Sequence, residues 1–220
     1  MKVKILAALV FGCTALSQPA IANGFHVTDG DTINDGQTIY RLEGIDAPES
    51  GQKCNRKGGG SWSCGKAATA RINELVIGQA INCIANGHDD YGRTLAVCRN
   101  ETQELNATMV TEGLAWAFRK YSPAYIQIEE LAHAAKRGVW QTNTETPWDY
   151  RNRRWQSASQ TAPAGCPIKG NINRKGERIY HAPWSRNYDR TRVNVAKDER
   201  WFCSEGEATK AGWRAPMWGR

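Results

Sequence analysis

In FHVTDGDTINDGQTIYRLEGIDAPE, residues 25–49, short β-prone runs alternate with tight turns. Phe25–Val27, Thr32–Ile33 and Thr38–Ile45 favour pleated backbone, and Asp29-Gly30 and Asp35-Gly36 are turn signals beside them. Further along, Gly65–Val76 changes to a helical period with Ala67, Ala70, Ile72 and Leu75 on the expected inner face. The runs Ala80–Ala85 and Thr94–Cys98, joined by a polar turn, read as a hairpin. Leu105–Phe118 reads as a second helix on Leu105, Met109, Val110 and Leu114. Pro123–Lys136 reads as a third, with Ile128, Leu131 and Ala135 inward and Gly138 as its stop. Short strands with three helices over residues 23–145 suit a β-rich α+β domain, a small closed barrel with helices packed against it.

The two ends of the chain differ from this middle. Residues 1–22 read as a secretory signal: Lys2 and Lys4 form a basic start, Ile5 to Leu16 is apolar but too short to span a membrane, and Ala20-Ile21-Ala22 offers a cleavage site. The alternative is lipidation at Cys13, which would tether the protein. Either way the expected location is periplasmic or secreted, with no transmembrane segment. Residues 146–165, ending in the Ser, Ala, Gln, Thr and Pro of 156–165, read as a linker. Residues 166–220 read as a second, small unit in which Trp184, Trp201, Trp213 and Trp218 can fill a core.

The formal charge of +7 is uneven. Residues 23–145 hold 12 basic and 15 acidic side chains, residues 146–165 three and one, and residues 166–220 twelve and six. The basic surface therefore belongs to the C-terminal third, where it can attract nucleic acid or serve solubility alone. Seven cysteines fit an oxidising compartment. Without Cys13, six remain and allow fifteen pairings among which sequence does not choose. Local context suggests Cys83–Cys98 across the hairpin, Cys54–Cys64 around the glycine-rich loop 55–63, and Cys166–Cys203 in the tail. No Cys-x-x-Cys or paired Cys/His spacing points to a metal. His26, His88, His133 and His181 lie far apart, and no Ser-His-Asp or Cys-His nucleophile pattern stands out.

The residues that carry chemistry are carboxylates and arginines. Asp29-Gly30-Asp31-Thr32, Arg41, Asp46-Ala47-Pro48-Glu49 and Asp90-Tyr91-Gly92-Arg93 together supply oxygen ligands, a base and two fixed cations. Phosphodiester hydrolysis needs that mixture: cations absorb the charge of the transition state, and a base prepares water. Taken singly, each has a plainer reading. Asp29 and Asp35 precede turn glycines, and strand parity makes Arg41 a possible salt-bridge partner of Glu43.

These motifs, with Asp89–Ala96 and Asn106 to Gly113-Leu114-Ala115, make residues 25–140 resemble the staphylococcal-nuclease-like (thermonuclease) family. The resemblance implies a five-stranded OB-fold barrel with three helices and Ca²⁺-dependent hydrolysis of DNA and RNA that leaves 3′-phosphate ends. It implies Asp31, Asp46 and the Ala47 backbone carbonyl as metal ligands, Glu49 as general base, and Arg41 and Arg93 as phosphate-binding arginines. Tyr91 and Tyr121 are the candidate substrate-contacting residues; Tyr121 matches a tyrosine near the nucleotide, whereas Arg119 stands where the family often has another. The rival class is an OB-fold module that binds nucleic acid without cutting it. The tail, through Ile168–Ile172, Gly176–His181 and Arg200–Ser204, resembles a small domain that follows such nucleases in exported bacterial proteins. Its expected partner is nucleic acid or an anionic envelope polymer, its alternative role that of a stabilising appendage, and the chain is expected to be a monomer.

Overall fold

A computed structural model of the chain describes residues 24–216. The signal segment 1–22, Cys13 and Trp218 lie outside the described residues. Among the described residues no helix is long and apolar enough to cross a membrane.

The nuclease-like part opens with β1 (His26–Asp29), β2 (Thr32–Asn34), β3 (Ile39–Leu42) and β4 (Ile45–Asp46). A small ribbon of β5 (Cys54–Asn55) and β6 (Ser61–Trp62) leads into helix α1 (Cys64–Val76). Strands β7 (Asn82–His88) and β8 (Thr94–Arg99), helix α2 (Leu105–Thr111), β9 (Trp116–Ala117) and α3 (Ile126–Ala134) complete it. One five-stranded sheet runs β1-β2-β3-β8-β7. Its β3–β8 pair is parallel, so the chain must cross over between them; α1 and β7 fill that connection. The core is built from Val27, Ile33, Leu42 and Ile45 of the first strands against Ala68, Ile72, Leu75 and Val76 of α1 and Leu105, Met109 and Val110 of α2. The fully buried Asn106 braces this assembly, donating to the Glu43 and Ala96 carbonyls and accepting from the Cys98 amide.

The helices depart from the periodic reading in three places. In α1 Ile72 and Leu75 are buried as expected, but Ala68 and Thr69 take the other inner positions, with Ala67 only half-buried and Ala70 exposed. The reason is close approach: a Cβ on Gly30 would lie 2.8 Å from that of Ala68, so only small residues fit where α1 meets the first turn. The second helix ends at Thr111 instead of reaching Phe118, because Gly113 takes a left-handed φ of 67° and turns the chain into β9. In α3, Leu131 is 71 % exposed and the C-cap Ala135 is exposed too, while Ala132 and Glu129 are buried, Glu129 accepting from the Ala117 amide and from Arg119. That pairing also accounts for the arginine at 119.

Residues 146–165, expected to be a linker, are helical from Pro147 to Ser159 (α4). Thr146 caps this helix by accepting from the Asp149 amide, and Pro147 suits the first turn. The C-terminal unit has β10 (Ile168–Ile172), β11 (Arg178–His181), β12 (Arg200–Phe202) and α5 (Glu205–Lys210), with sheet order β11-β10-β12. Trp213 and Phe202 fill its core beside Ile168, Tyr180 and Ala208; Trp184 and Trp201 are only half-buried. Cystines join Cys54 to Cys64, Cys83 to Cys98 and Cys166 to Cys203.

His181, 6 % exposed on β11, faces the Asn171 side chain. Burial, with Lys169 nearby, pushes its pKa down to about 4 from 6.5. Above pH 6.5 the imidazole is neutral folded or unfolded; as pH falls from there towards 4, only the unfolded chain takes up the proton. Stability is therefore expected to fall across that window by on the order of 3 kcal/mol from this group. Denaturant melts at pH 7, 5 and 4 check this: His181→Gln should flatten the pH slope, and parallel slopes would refute it.

Candidate active site

The first turn and the β3–β4 segment converge because Asp46 is pinned twice. Its strand β4 pairs with β9, Asp46 opposite Trp116, and the Phe118 amide donates to the Gly44 carbonyl at 2.8 Å. Arg41 lies opposite Thr32 on the neighbouring strand, and its Nη1 meets Asp31 while Nη2 reaches Asp46 Oδ1 at 2.9 Å. Asp31 Oδ2 accepts from the Ala47 amide at 2.7 Å, which closes a buried ring of Asp31, Arg41, Asp46 and Ala47. Glu43, the partner that strand parity offered Arg41, instead accepts from Asn86.

Glu49 follows on a loop held from three sides. Gln52, 1 % exposed, donates its amide N–H to the Glu49 carbonyl, accepts from the Glu49 amide through its side-chain oxygen, and donates from Nε2 to the Glu145 carbonyl. The Cys54–Cys64 cystine fixes the start of α1 beneath. There Gly65 abuts the loop so closely that a Cβ would land on the Glu49 carbonyl. Gly65→Ala is therefore expected to move Glu49, costing about 1–3 kcal/mol in stability and at least a tenfold drop in activity. Calorimetry and a cleavage assay check it; an unchanged rate would show that Gly65 does not position Glu49.

Asp31, Arg41 and Glu49 open onto a cavity of about 1040 Å³ that Arg93, Tyr91 and Tyr121 also line. Arg93 is held by Asp89, which accepts from its Nε at 2.7 Å and from its amide. Its guanidinium lies 5.3 Å from the Tyr91 ring centre. Tyr121, 66 % exposed, packs edge-on against Phe118 with its ring centre 4.7 Å away. The structure thus gathers Asp31, Arg41, Asp46, Ala47 and Glu49 into one cluster, with Arg93 and the two tyrosines on the walls of the same cavity.

The remaining wall comes from the C-terminal third. Trp155, Trp184 and Glu205 line the cavity, and Tyr180 donates its hydroxyl to Glu205. The group that enters deepest is Arg151 of α4: Nη2 lies 2.6 Å from Asp46 Oδ2, and Nη1 lies 3.0 Å from Asp46 Oδ1 and 2.8 Å from Glu49 Oε1. Sequence reading missed Arg151, Gly65, Gln52 and Glu205. The signal for Arg151 was the Thr146-Pro147 helix start followed by Trp148, Arg151 and Trp155 at i, i+3 and i+7, one face of a helix.

Burial works against ionisation of the carboxylates here. Burial holds the Asp29 carboxyl above its ordinary value despite Arg41 and Arg93. Glu49 is pushed up to about 7, again chiefly by burial, with the Arg151 charge opposing. A divalent cation, which the resemblance implies, would offset that burial by favouring the ionised carboxylates. The donor set fits such an ion: buried, hard carboxylate oxygens at Asp31 and Asp46 beside the Ala47 backbone. Among the described residues no three His, Cys, Asp or Glu side chains are already drawn together as a ligand set. Arg41 and Arg151 hold the oxygens instead.

Comparison with known proteins agrees with the geometry. A family model described as "Staphylococcal nuclease homologue" matches residues 39–142, and one described as ArfC matches residues 154–215. A micrococcal nuclease of Shigella flexneri is 36 % identical over 154 residues, covering 62 % of this chain and 80 % of that protein. An uncharacterized endonuclease of Haemophilus influenzae is 34 % identical over 124 residues, covering 53 % and 64 %. The succinoglycan biosynthesis protein ExoI of Rhizobium meliloti is 28 % identical over 144 residues, covering 64 % and 75 %.

Proposed function

The chain belongs to the staphylococcal-nuclease-like family, and on that premise we propose that it is an exported, Ca²⁺-dependent nuclease that cuts DNA and RNA to leave 3′-phosphate ends. The observation that carries this reading is the cluster itself: Asp31, Arg41 and Glu49 line one cavity with Arg93, and Asp46 lies buried directly behind them, paired to Arg41. A module that only binds nucleic acid has no need of a buried carboxylate pair beside a glutamate on a braced loop.

Asp31 and Asp46, with the Ala47 carbonyl, would hold the cation, which when bound polarises the phosphate and lowers the pKa of its water. The chain's own groups do the rest. Glu49 accepts a proton from the attacking water as its oxygen bonds to phosphorus; the P–O5′ bond breaks, and the leaving oxygen takes a proton from solvent. A base raised to about 7 is matched to work near neutral pH. Arg41 and Arg93 keep their charge at any working pH and offer planar forks to the phosphate oxygens. Tyr91 and Tyr121 supply ring faces at the rim for bases. The five-stranded sheet is read as an OB-fold barrel. Three cystines support export, and residues 1–22 supply the signal for it.

Oxidised, purified protein without residues 1–22 tests the reading on plasmid DNA and on RNA, with Ca²⁺ and with EDTA. Cleavage with Ca²⁺ that EDTA abolishes, yielding ends that a 3′-phosphatase must treat before extension, is the expected result. Retention of nucleic acid without cleavage would make the chain a binding module.

A further inference from the structure

The nuclease cluster, as the sequence motifs delimit it, is complete by Arg93, yet its most strongly paired carboxylate is held by a residue 105 positions away in the chain. Arg151 grips both oxygens of Asp46 and one of Glu49. Two N–H bonds from one guanidinium to one carboxylate are the strongest arrangement such a pair can adopt. Helix α4 presents Arg151 from a fixed platform. On its N-terminal side Trp148 stacks on Phe118 at 5.8 Å, nearly parallel, and the Glu145 carbonyl accepts from Gln52. One turn beyond Arg151, Trp155 packs against the C-terminal core and lies 6.1 Å from Trp184. Arg154 donates to the Pro183 carbonyl and pairs with Asp189. The helix is tied to both units, and the arginine between the ties reaches the site.

Arg41 and Arg151 together occupy three of the about four acceptor positions of Asp46, and the Arg151 guanidinium at 2.6 Å from Oδ2 puts a like charge where a cation would have to sit. We propose that Arg151 is a positioning residue that stands in for the divalent ion, holding Asp46 and Glu49 until the ion displaces it, and that it thereby sets the ion concentration the site requires. The inference rests on the nuclease reading and adds to it a role for the C-terminal third. When only the fraction of molecules with Arg151 withdrawn can bind, the apparent dissociation constant rises by the inverse of that fraction. Removing the competitor therefore tightens ion binding. Removing a merely structural partner loosens the loop and weakens it.

Calorimetric titration of the oxidised protein with Ca²⁺, without nucleic acid, is the test. Arg151→Gln is expected to bind Ca²⁺ at least tenfold more tightly than the parent, with Arg151→Lys between them because it keeps the charge but loses the fork. Equal or weaker binding by Arg151→Gln would overturn the inference. Should that variant fail to fold, ¹⁵N NMR of the arginine Nε groups in the parent decides: the Arg151 resonance should move with Ca²⁺ occupancy, and one unmoved at saturation refutes displacement. The nuclease reading fails separately. Tighter binding in Arg151→Gln without cleavage by either protein would sustain the displacement and sink the nuclease, whereas Ca²⁺-dependent cleavage without tighter binding would do the reverse.

Discussion

Glu49→Gln is expected to lower kcat for nucleic-acid cleavage by about 10²–10⁴-fold, the range for loss of a general base, with little change in KM. The amide has the shape of the carboxyl but cannot take up the water proton. Folding should barely register the change. The Glu49 side chain is 13 % exposed, and its surroundings hold the carboxyl up at about 7, so its ionised form adds nothing to stability near neutral pH and its loss should not weaken the fold. Its loop is fastened through the backbone and Gln52, not through the carboxylate. Arg151 retains both oxygens of Asp46. Steady-state kinetics with a thermal melt on the same preparation separates the two effects. A rate within threefold of the parent would remove Glu49 from the chemistry, and a large fall in Tm would mean that its role is structural.

Arg41→Gln should lose both activity and stability. The guanidinium is 12 % exposed and lies between Asp31 and Asp46, whose side chains are 7 % and 0 % exposed. Taking out one member of a buried ionic cluster leaves uncompensated charge, which typically destabilises by about 3–5 kcal/mol. Arg151 still compensates Asp46, but among the described residues no other ion pair to Asp31 is formed, so the loss should fall mainly there. If Arg41 also meets the phosphate, kcat should drop by about 10²–10³-fold, the scale of one transition-state donor. Arg41→Lys divides the two roles. It restores a positive charge and much of the stability, yet it cannot bond two oxygens in one plane, so the rate should stay low. Urea melts and cleavage rates on all three proteins provide the check; a fully active lysine variant would exclude the bidentate role.

Much of this was legible in the chain. Asp29-Gly30, Asp46-Ala47-Pro48-Glu49 and Asp89 to Arg93 announce themselves by residue type and spacing, and Cys83 and Cys98 were opposed as soon as their two runs were taken as a hairpin. Such features act over a few residues, where turn preference and strand alternation govern. The periodic reading of α3 failed at one decisive place. It set Leu131 inward by its apolarity, whereas Glu129 takes a buried position beside Ala132 because the Ala117 amide and Arg119 need an acceptor there.

Sequence by itself determined the first half of the candidate site: which carboxylates and arginines exist, their order, and the turns that carry them. Only the tertiary structure decided that Asp31 and Asp46 share Arg41, that Gly65 lies under Glu49, and that residues 147–159 form a helix placing Arg151 on Asp46. The physical reason is range. Local propensities are set by neighbours within a turn or two, but the partner of a buried charge is whichever opposite charge the packed chain brings within hydrogen-bond distance. For Asp46 one such partner, Arg151, comes from 105 residues away.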